Sequence, residues 1–538
     1  MSEFARNAKA AAARFCRAEG GNATILSVYM SLAILLTTGA AIDVMRYEAV
    51  RTKMQHVLDR AVLAAADLDQ KGDPAEVAQD YVTAAGLGAA LTDVSVDDGL
   101  NYRTVTAIGQ TDVETFFMRL GGIDSLNAPA LSVAEEKISK VEISMVLDIS
   151  GSMGSNSKIE NLRAAGKEFV DTVITPTENA LDMTTISVVP YNATVNLGPL
   201  VSQYFNIEDT HAYSNCVIFA DDEFDTVDIT GTQLLKRLAH FDRYSSSEST
   251  LSISSPWCAD DDYGEIVVAS SDAQALKDHI DSLGAGGNTA IDLGMKWGAA
   301  LLSDKVQPVF DAMRANGHLG ASATDRPATF TDTEAMKVVV LMTDGQNTTE
   351  YDLKPQFKTE WSDIWIDERG NGIGSDDRFS VLVDDNSGSL NDEYFWLRYE
   401  NYGWSYRYRN APDGANARRM KNAEVYARFG VKAVARKFWE KPKNDGHISY
   451  NTYSDIYYGS TSIVNGTQAD TRLSEICGVA RDKGIVVFAI AFEAPSGGQA
   501  ALQDCASSPS HYFAVEGIEI TETFHAIARQ INNLRLIQ

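Results

Sequence analysis

The chain has 538 residues, too many for one compact core of ordinary size, so two or three folded units are expected. Apolar residues make up 44% of it and charged residues 22%, which are values of a globular chain and exclude a wholly disordered one. The formal net charge of −28 is uneven, with +3 on residues 1–60 and −31 on the rest. So acidic a body repels phosphates and argues against a nucleic-acid partner.

Residues 23–42 form an uncharged apolar stretch near the N-terminus. As a helix rising about 1.5 Å per residue, this stretch reaches roughly 30 Å, the thickness of the hydrocarbon core of a bilayer. A cleaved signal peptide is the competing interpretation, because small residues occupy positions 39–41, but its apolar region is usually only about 7–15 residues long. We therefore predict a cytosolic segment over 1–22, a transmembrane helix over 23–42 and a helical extension over 43–66.

The cysteines indicate which side of the membrane holds the body of the chain. One cysteine precedes the apolar stretch and four follow it: Cys16, then Cys216, Cys258, Cys477 and Cys505. This distribution fits two disulfides in an oxidising compartment, although unpaired buried thiols remain the alternative. Proximity favours Cys216–Cys258 and Cys477–Cys505 among the three pairings that four cysteines allow. We expect a single-pass protein of the inner (cell) membrane with its N-terminus in the cytosol and its body periplasmic or extracellular.

Residues 67–135 read as a small α+β module. The stretch "DPAEVAQDYVTAAGLG" predicts a helix with an aspartate N-cap and a glycine stop. After it, "VSVDDG" and "RTVTAIGQTDV" alternate apolar and polar residues, as half-buried strands do.

From residue 141 onward, apolar strands alternate with amphipathic helices. The runs "VEISMVLDIS", "KVVVLMTDG" and "IVVFAIAF" are typical of strands covered on both faces, and "TTISVVPYNATVNL" reads as a strand pair. Alternation of this kind predicts an α/β fold for 141–538, a doubly wound, mostly parallel, Rossmann-like sheet with helices on both faces. The segments at about 200–271 and 350–465 are too long for ordinary connections and are expected to be insertions.

The second insertion is rich in aromatic residues. Eighteen of them lie between positions 351 and 450, twice the average density of the chain, most densely in "YFWLRYENYGWSYRYR". One interpretation is a small insert with its own core. The other is an exposed aromatic surface for a sugar or a protein ligand, since Tyr, Trp and Arg are enriched at interfaces.

Polar residues follow the first buried strand. In "MVLDISGSMG", Asp148, Ser150 and Ser152 stand where the strand turns toward its helix. A capped polar turn would explain these residue types equally well. However, ligands of open parallel sheets bind beyond the carboxyl ends of the strands, which is where these oxygens lie.

Two further segments bring oxygen ligands to the same edge. Thr289 lies in the glycine-rich loop "GAGGNTAIDLG", and Asp344 ends the buried strand of "VVVLMTDGQN". Two carboxylates and three hydroxyls suit a hard cation such as Mg²⁺, or alternatively Mn²⁺ or Ca²⁺, whereas zinc prefers Cys and His. The sequence therefore predicts a divalent-cation site.

This spacing of Asp-x-Ser-x-Ser, a later Thr and a later Asp resembles the metal-ion-dependent adhesion site of von Willebrand factor A domains. The resemblance implies that Ser150 and Ser152 bind the ion directly and that Thr289 does so directly or through water. It also implies that Asp148 and Asp344 act mainly through bound water. In that family a carboxylate from a protein partner can fill the open position on the ion.

The layout as a whole resembles TadG-type proteins. The shared features are a short basic N-terminus, one apolar span and a long helix carrying "LDRAVLAAA" ahead of the predicted A domain. The resemblance implies a pilin-like character for 67–135 and a role in tight-adherence (Flp) pilus assembly or surface attachment, with pilus or secretion components as partners.

The sequence argues against two other functions and leaves a third as an alternative. An enzyme is not expected, because the histidines show no metal-ligand or base–nucleophile spacing and "GAGGNTA" lacks the lysine of a phosphate-binding loop. A cytosolic A-domain subunit of a ring ATPase conflicts with the apolar span. An envelope protein that binds cell-wall sugar through Trp396, Trp404 and Tyr406, unrelated to pili, remains the alternative.

Overall fold

The chain forms two compact units, Met1–Ile138 and Ser139–Gln538, which are described separately. The computed structural model describes residues 13–14, 21–67, 72–98, 102–137, 140–174, 183–248, 251–332, 334–358, 361–370, 372–384 and 393–537. Almost all of the predicted cytosolic segment 1–22, with Cys16, lies outside these residues.

The N-terminal unit is a long helix that ends on a small antiparallel sheet. Its elements are α1 (Gly21–Ala66), α2 (Pro74–Ala84), β1 (Leu91–Asp98), β2 (Tyr102–Glu114) and β3 (Ser125–Lys137). The strands lie in the order β1-β2-β3, and their core is completed by apolar residues from the C-terminal half of α1. The carboxylate of Asp73 accepts the N–H groups of the first turn of α2, so the predicted N-cap is confirmed.

The N-terminal half of α1 has few neighbours within the chain. By length and composition, α1 is the one helix among the described residues that could cross a membrane, and its apolar stretch is almost entirely exposed. An exposed apolar helix of this length is what a bilayer span requires.

The second unit contains a main sheet and several smaller ribbons. In chain order its strands within the described ranges are β4 (Lys140–Asp148), β5 (Thr184–Tyr191), β6 (Val217–Ile218), β7 (Lys236–Arg237), β8 (Val267–Ser270), β9 (Ala335–Thr343), β10 (Glu350–Leu353), β11 (Trp361–Asp367), β12 (Arg378–Asp384), β13 (Glu393–Trp396), β14 (Tyr408–Arg409), β15 (Arg418–Lys421), β16 (Ser460–Val464), β17 (Val486–Phe492) and β18 (Tyr512–Val515).

The main sheet has the order β18-β17-β9-β4-β5-β8 and is parallel except for the edge strand β8. A mostly parallel sheet is therefore confirmed. The sequence 184–197 does not form the predicted strand pair, because only β5 is a strand and residue Asn196 makes an isolated bridge to Glu265. The predicted insertion over 200–271 also includes β8, whose four residues are too short for a recognisable apolar period.

Helices pack on both faces of this sheet. In chain order the described helices of the unit are α3 (Lys158–Val173), α4 (Gly198–Val201), α5 (Ala273–Ser282), α6 (Ile291–Ala300), α7 (Gln307–Ala315), α8 (Trp404–Arg407), α9 (Asn422–Arg428), α10 (Val431–Val434), α11 (Glu440–Asp445), α12 (Tyr450–Tyr457), α13 (Gly466–Asp482), α14 (Ser496–Cys505) and α15 (Glu519–Ile537). Apolar side chains of α3, α5 and α15 share one core with the sheet, and those of α6, α7, α13 and α14 share the other.

The two insertions share a core of their own. Strands β11 to β15 form an antiparallel sheet of order β14-β13-β12-β11-β15, and its buried aromatic rings pack with residues of the first insertion such as Phe241 and Trp257. The predicted core of the aromatic insertion is therefore confirmed, and it reaches beyond the insertion itself. Strands β10 and β16 pair where the second insertion leaves and rejoins the main fold.

Both predicted disulfides are present. Cys216 is bonded to Cys258 within the first insertion, and Cys477 of α13 is bonded to Cys505 of α14. The pairing by proximity along the chain is confirmed, and the alternative of unpaired thiols is excluded for these four residues.

Candidate metal centre

The first predicted segment lies at the carboxyl end of the central strand β4. Asp148 is the last residue of this strand and is buried. Its Oδ1 atom accepts the backbone N–H of Ser150 at 2.7 Å, a local turn bond that aspartate makes readily. This bond fixes the start of the turn that carries Ser150 and Ser152.

The second segment is fastened to that turn by backbone hydrogen bonds. The N–H of Gly151 donates to the carbonyl of Gly287 at 3.0 Å, and the N–H of Gly286 donates to the carbonyl of Ile149 at 2.8 Å. Gly287 has φ +84°, a left-handed conformation that favours glycine. The glycine-rich loop thus brings Thr289 toward the end of β4.

The third segment follows β9, the neighbour of β4. The pairing of Leu147 with Met342 places the ends of the two strands side by side. The N–H of Thr348 donates to the carbonyl of Thr289 at 2.9 Å, and a Cβ atom on Gly345 would lie 3.2 Å from Thr289 Oγ1. The Asp344 loop therefore adjoins the Thr289 loop as well as β4.

The hydroxyl groups of the first turn face the carboxylate of the third segment. Ser152 Oγ donates to Asp344 Oδ1 at 2.6 Å and lies 3.1 Å from Ser150 Oγ. A hydroxyl that donates its proton to a carboxylate keeps its lone pairs available for a cation. Asp148, Ser150, Ser152, Thr289 and Asp344 thus lie at one edge of the sheet. The exposed Ser152 marks the side that is open to solvent.

Two residues of this cluster were missed in the sequence. Thr343 Oγ1 donates to Asp148 Oδ2 at 2.5 Å, so both oxygens of that carboxylate already accept hydrogen bonds. Lys158 Nζ lies 3.0 Å from Asp344 Oδ2 and 3.6 Å from Glu493 Oε2. The position of Thr343 just before Asp344 was a usable signal. Lys158 lies in the first turn of an amphipathic helix, where the sequence carries no local signal for a contact with Asp344.

The electrostatics of the site reflect its crowded carboxylates. Burial, and then the negative charge of Asp344, raise the pKa of Asp148 to about 6, and hydrogen bonds from Thr343 and Ser150 oppose the rise. Lys158 supplies a positive charge beside Asp344. A divalent cation at this edge would relieve the same repulsion, since it would offset the two negative charges.

The donor set fits a hard cation. It consists of carboxylate and hydroxyl oxygens, which are ligands that Mg²⁺, Mn²⁺ and Ca²⁺ accept. Among the described residues, three or more His, Cys, Asp or Glu side chains nowhere form a group that could hold a metal ion. A cation here would therefore depend on the serine and threonine hydroxyls, and its presence stays a prediction.

The N-terminal segment matches a protein-family model. Residues 21–68 match the model of the Tad family, described as putative Flp pilus-assembly TadE/G-like. The resemblance predicted for this end of the chain is confirmed, and the N-terminal segment is TadE/G-like. No curated protein sequence matches the chain.

Several solved structures are similar at low identity. The vWF domain of the type V pili tip protein Mfa5 from Porphyromonas gingivalis is 15% identical, with 73% of this chain and 96% of that chain covered and a TM-score of 0.30. The pilus adhesin SpaC from Lactobacillus rhamnosus GG is 13% identical, with 81% of this chain but 34% of that chain covered and a TM-score of 0.30.

A mussel protein is similar to the same extent. Proximal thread matrix protein 1 from the mussel byssus, described with a zinc-occupied MIDAS motif, is 12% identical, with 73% of this chain and 46% of that chain covered and a TM-score of 0.27. At such identities and TM-scores, neither the ligand nor the activity of these proteins can be assigned to this chain.

Proposed function

We propose that this protein is a membrane-anchored, divalent-cation-dependent binding protein that acts in Flp pilus assembly or surface attachment. The observation that carries the proposal is the meeting of Asp148, Ser150, Ser152, Thr289 and Asp344 at the carboxyl edge of the main sheet. The TadE/G-like match over residues 21–68 supports the pilus context. The proposed fold of the second unit is the doubly wound von Willebrand factor A type.

The chain's own residues define how the site would work. Ser150 and Ser152 would offer hydroxyl lone pairs to Mg²⁺, Mn²⁺ or Ca²⁺, and Thr289 would offer its hydroxyl from the facing loop. Asp148 is held by two hydrogen bonds and would act through water. The positive charge that the ion supplies would attract a carboxylate of a protein partner at the exposed side of Ser152, so the function is binding and not catalysis.

Two features of the chain support the proposed location of the second unit. Two disulfides require an oxidising environment, and α1 offers a single apolar stretch near the N-terminus. We therefore place the second unit on the periplasmic or extracellular side of the inner membrane and the N-terminus in the cytosol.

Ion binding is tested by calorimetric titration of the full chain, in detergent, with Mg²⁺, Mn²⁺, Ca²⁺ and Zn²⁺. We expect Ser150→Ala with Ser152→Ala to abolish uptake and to leave the circular dichroism spectrum unchanged. Ser155→Ala is the matched control, since Ser155 is an exposed serine that directly follows the same turn and is not one of the five predicted ligands. Equal ion uptake by the double variant and the parent would refute the site.

Partner binding is tested by crosslinking the full chain in native membranes with and without chelator. Partners captured by the parent but lost both with chelator and with the double serine variant support a cation-dependent interface. If the same partners are captured with chelator and with the double serine variant, the pilus role does not depend on the metal site.

A second candidate function is sugar binding at the aromatic insertion. The exposed rings of Tyr402, Trp404 and Tyr406 favour it, because exposed aromatic rings offer flat apolar faces to a sugar. The test is binding to isolated cell wall after replacement of Trp396, Trp404 and Tyr406 by alanine. Loss of wall binding with pilus formation intact would favour this candidate over the first.

A further inference from the structure

The N-terminal unit holds a loop against the place where its apolar helix ends. Residues 115–124, which we name the hairpin tip, connect β2 and β3. The carboxylate of Asp43, the first charged residue after the apolar stretch, accepts the N–H groups of Phe116 at 2.9 Å, Phe117 at 2.7 Å and Met118 at 2.8 Å. Such a triple acceptor fixes the height of the hairpin tip along α1.

Aromatic packing fixes the same height. A Cβ atom on Gly39 would lie within 2.7 Å of three atoms of Phe117, so that ring rests directly on the helix backbone. Since a helix rises about 1.5 Å per residue, Phe117 reaches roughly 4–5 Å into the level of the apolar stretch that ends at residue 42. On the other side, the guanidinium of Arg46 lies 4.1 Å from the centre of the Phe116 ring.

The hairpin tip exposes large apolar side chains. Phe116 is 64% exposed, Leu120 77% and Ile123 44%. Its backbone is largely self-satisfied, because the N–H groups of four of its residues donate within it: Thr115 to Asp124, Leu120 to Phe117, Gly122 to Arg119 and Ile123 to Met118. Backbone pairing of this kind is what a segment needs in order to leave water at low cost.

We propose that the hairpin tip is a second membrane contact, inserted into the interfacial layer of the bilayer from which α1 emerges. Lipid is the occupant that the position selects, because the exposed side chains continue the apolar surface of a helix that needs a bilayer around it. Arg46, which lies over the Phe116 ring, offers a positive charge to the headgroups, and Arg119 is an exposed arginine of the same tip that is paired with Asp124. The unit is then held by two points, which sets its tilt relative to the membrane.

The experiment places a fluorescent probe on the hairpin tip of the full chain. In a Cys16→Ser background, the Leu120→Cys variant is labelled with an environment-sensitive dye and reconstituted into vesicles of phosphatidylethanolamine and phosphatidylglycerol. The matched control is Leu63→Cys. Leu63 is an exposed apolar residue of α1 that lies roughly 30 Å beyond Asp43, at about 1.5 Å per residue.

We expect the emission at position 120 to be blue-shifted, quenched by brominated acyl chains and protected from aqueous iodide, while position 63 shows the opposite. Iodide quenching without lipid quenching at position 120 would overturn the proposal. Protection from both quenchers would also overturn it, because the tip would then be covered by protein, for example a second copy. Ile123→Cys gives the same readout from the same loop should the Leu120→Cys variant fail to fold.

Discussion

Two buried pairs of carboxylates among the described residues of the second unit differ in their surroundings. At the candidate metal centre, the oxygens of Asp148 and Asp344 accept hydrogen bonds from hydroxyl, backbone and lysine donors. At the start of α6 and in β10, both oxygens of Asp292 and one of Glu350 lack a donor in hydrogen-bonding geometry among the described residues. The charge that faces them is Arg472, whose Nη1 lies 4.0 Å from Asp292 and 3.9 Å from Glu350.

The two pairs of carboxylates differ in their access to solvent and in their protonation. The first pair opens to solvent at Ser152, where the serine hydroxyls lie beside Asp344, and Lys158 is bound to the other oxygen of Asp344. The second pair is closed, and burial followed by the charge of Asp292 raises the pKa of Glu350 well above its usual value. A proton and an arginine therefore balance the second pair, which makes it a structural link and not a cation site.

The largest expected effect sharpens this contrast directly. Asp148→Ala should abolish Mg²⁺ uptake, because several kcal/mol of charge stabilisation are lost, which means more than about a hundredfold in affinity. Asp292→Asn, an isosteric change in the other pair, should leave uptake intact. Calorimetric titration of both variants checks the prediction. A loss of Mg²⁺ binding in Asp292→Asn would show that Asp292 and Glu350 also contribute to ion binding.

Removal of Arg472 should be the next largest effect, and it should act on stability. Arg472→Met removes the positive charge that faces the buried Asp292 and Glu350, for which we expect a loss of about 3–5 kcal/mol in the free energy of unfolding. Denaturant unfolding followed by tryptophan fluorescence measures it. The control is Arg472→Met combined with Glu350→Gln, which should recover part of the loss, and failure to recover would mean that the arginine acts through Asp221 instead.

Lys158 should have a smaller and opposite effect on ion binding. Its ammonium group is bound to Asp344 and repels a cation at the same edge, so Lys158→Met should raise Mg²⁺ affinity by about tenfold, or about 1.4 kcal/mol. Titration of the full chain tests this. Weaker Mg²⁺ binding in the variant would show that Lys158 serves to hold Asp344 in place.

The smallest effect concerns pH. Burial raises the pKa of Asp292 to about 6 against the opposing charge of Arg472, and the pKa of Glu350 lies well above the usual 4.5. An acid with a raised pKa in the folded state binds more protons there, so its contribution is complete below the unfolded pKa and is lost as pH rises through the folded value.

In chelator, the free energy of unfolding, and with it the melting temperature, should therefore fall through this pair as pH rises from about 4.5 through about 6 and above. The slope of the free energy should be at most about 1.4 kcal/mol per pH unit for each proton. Glu350→Gln should flatten the slope, and scanning calorimetry of variant and parent compares them. An identical slope in both would assign the pH dependence to other groups, such as Asp148.

The parts of the fold that follow local patterns could be predicted. The apolar runs that became β4, β9 and β17 indicated buried parallel strands, and the strand-end rule brought Asp148 and Asp344 to one edge. The Thr289 loop followed from its glycines. These predictions needed only short stretches of sequence and the geometry of a parallel sheet.

The parts that depend on distant partners could not be predicted. Asp292 reads as a polar residue on an ordinary helix, and its burial beside Glu350 depends on the return of Arg472 from α13. The core shared by the two insertions is hidden for the same reason, since Phe241 and Phe395 lie far apart along the chain. A single sequence carries no local signal for such pairs.

The candidate metal centre joins three segments that lie far apart in the chain. Backbone hydrogen bonds connect the loop of Gly287 to the turn of Gly151, and β4 pairs with β9. Closing loops of this length costs conformational entropy, which is offset only by the contacts of the completed sheet. A partly synthesised or partly opened chain therefore has no ion-binding geometry. A cation captured here would select the finished fold by mass action. Uptake of the ion would then act as a maturation checkpoint, and its loss would be an early sign that the sheet is coming apart.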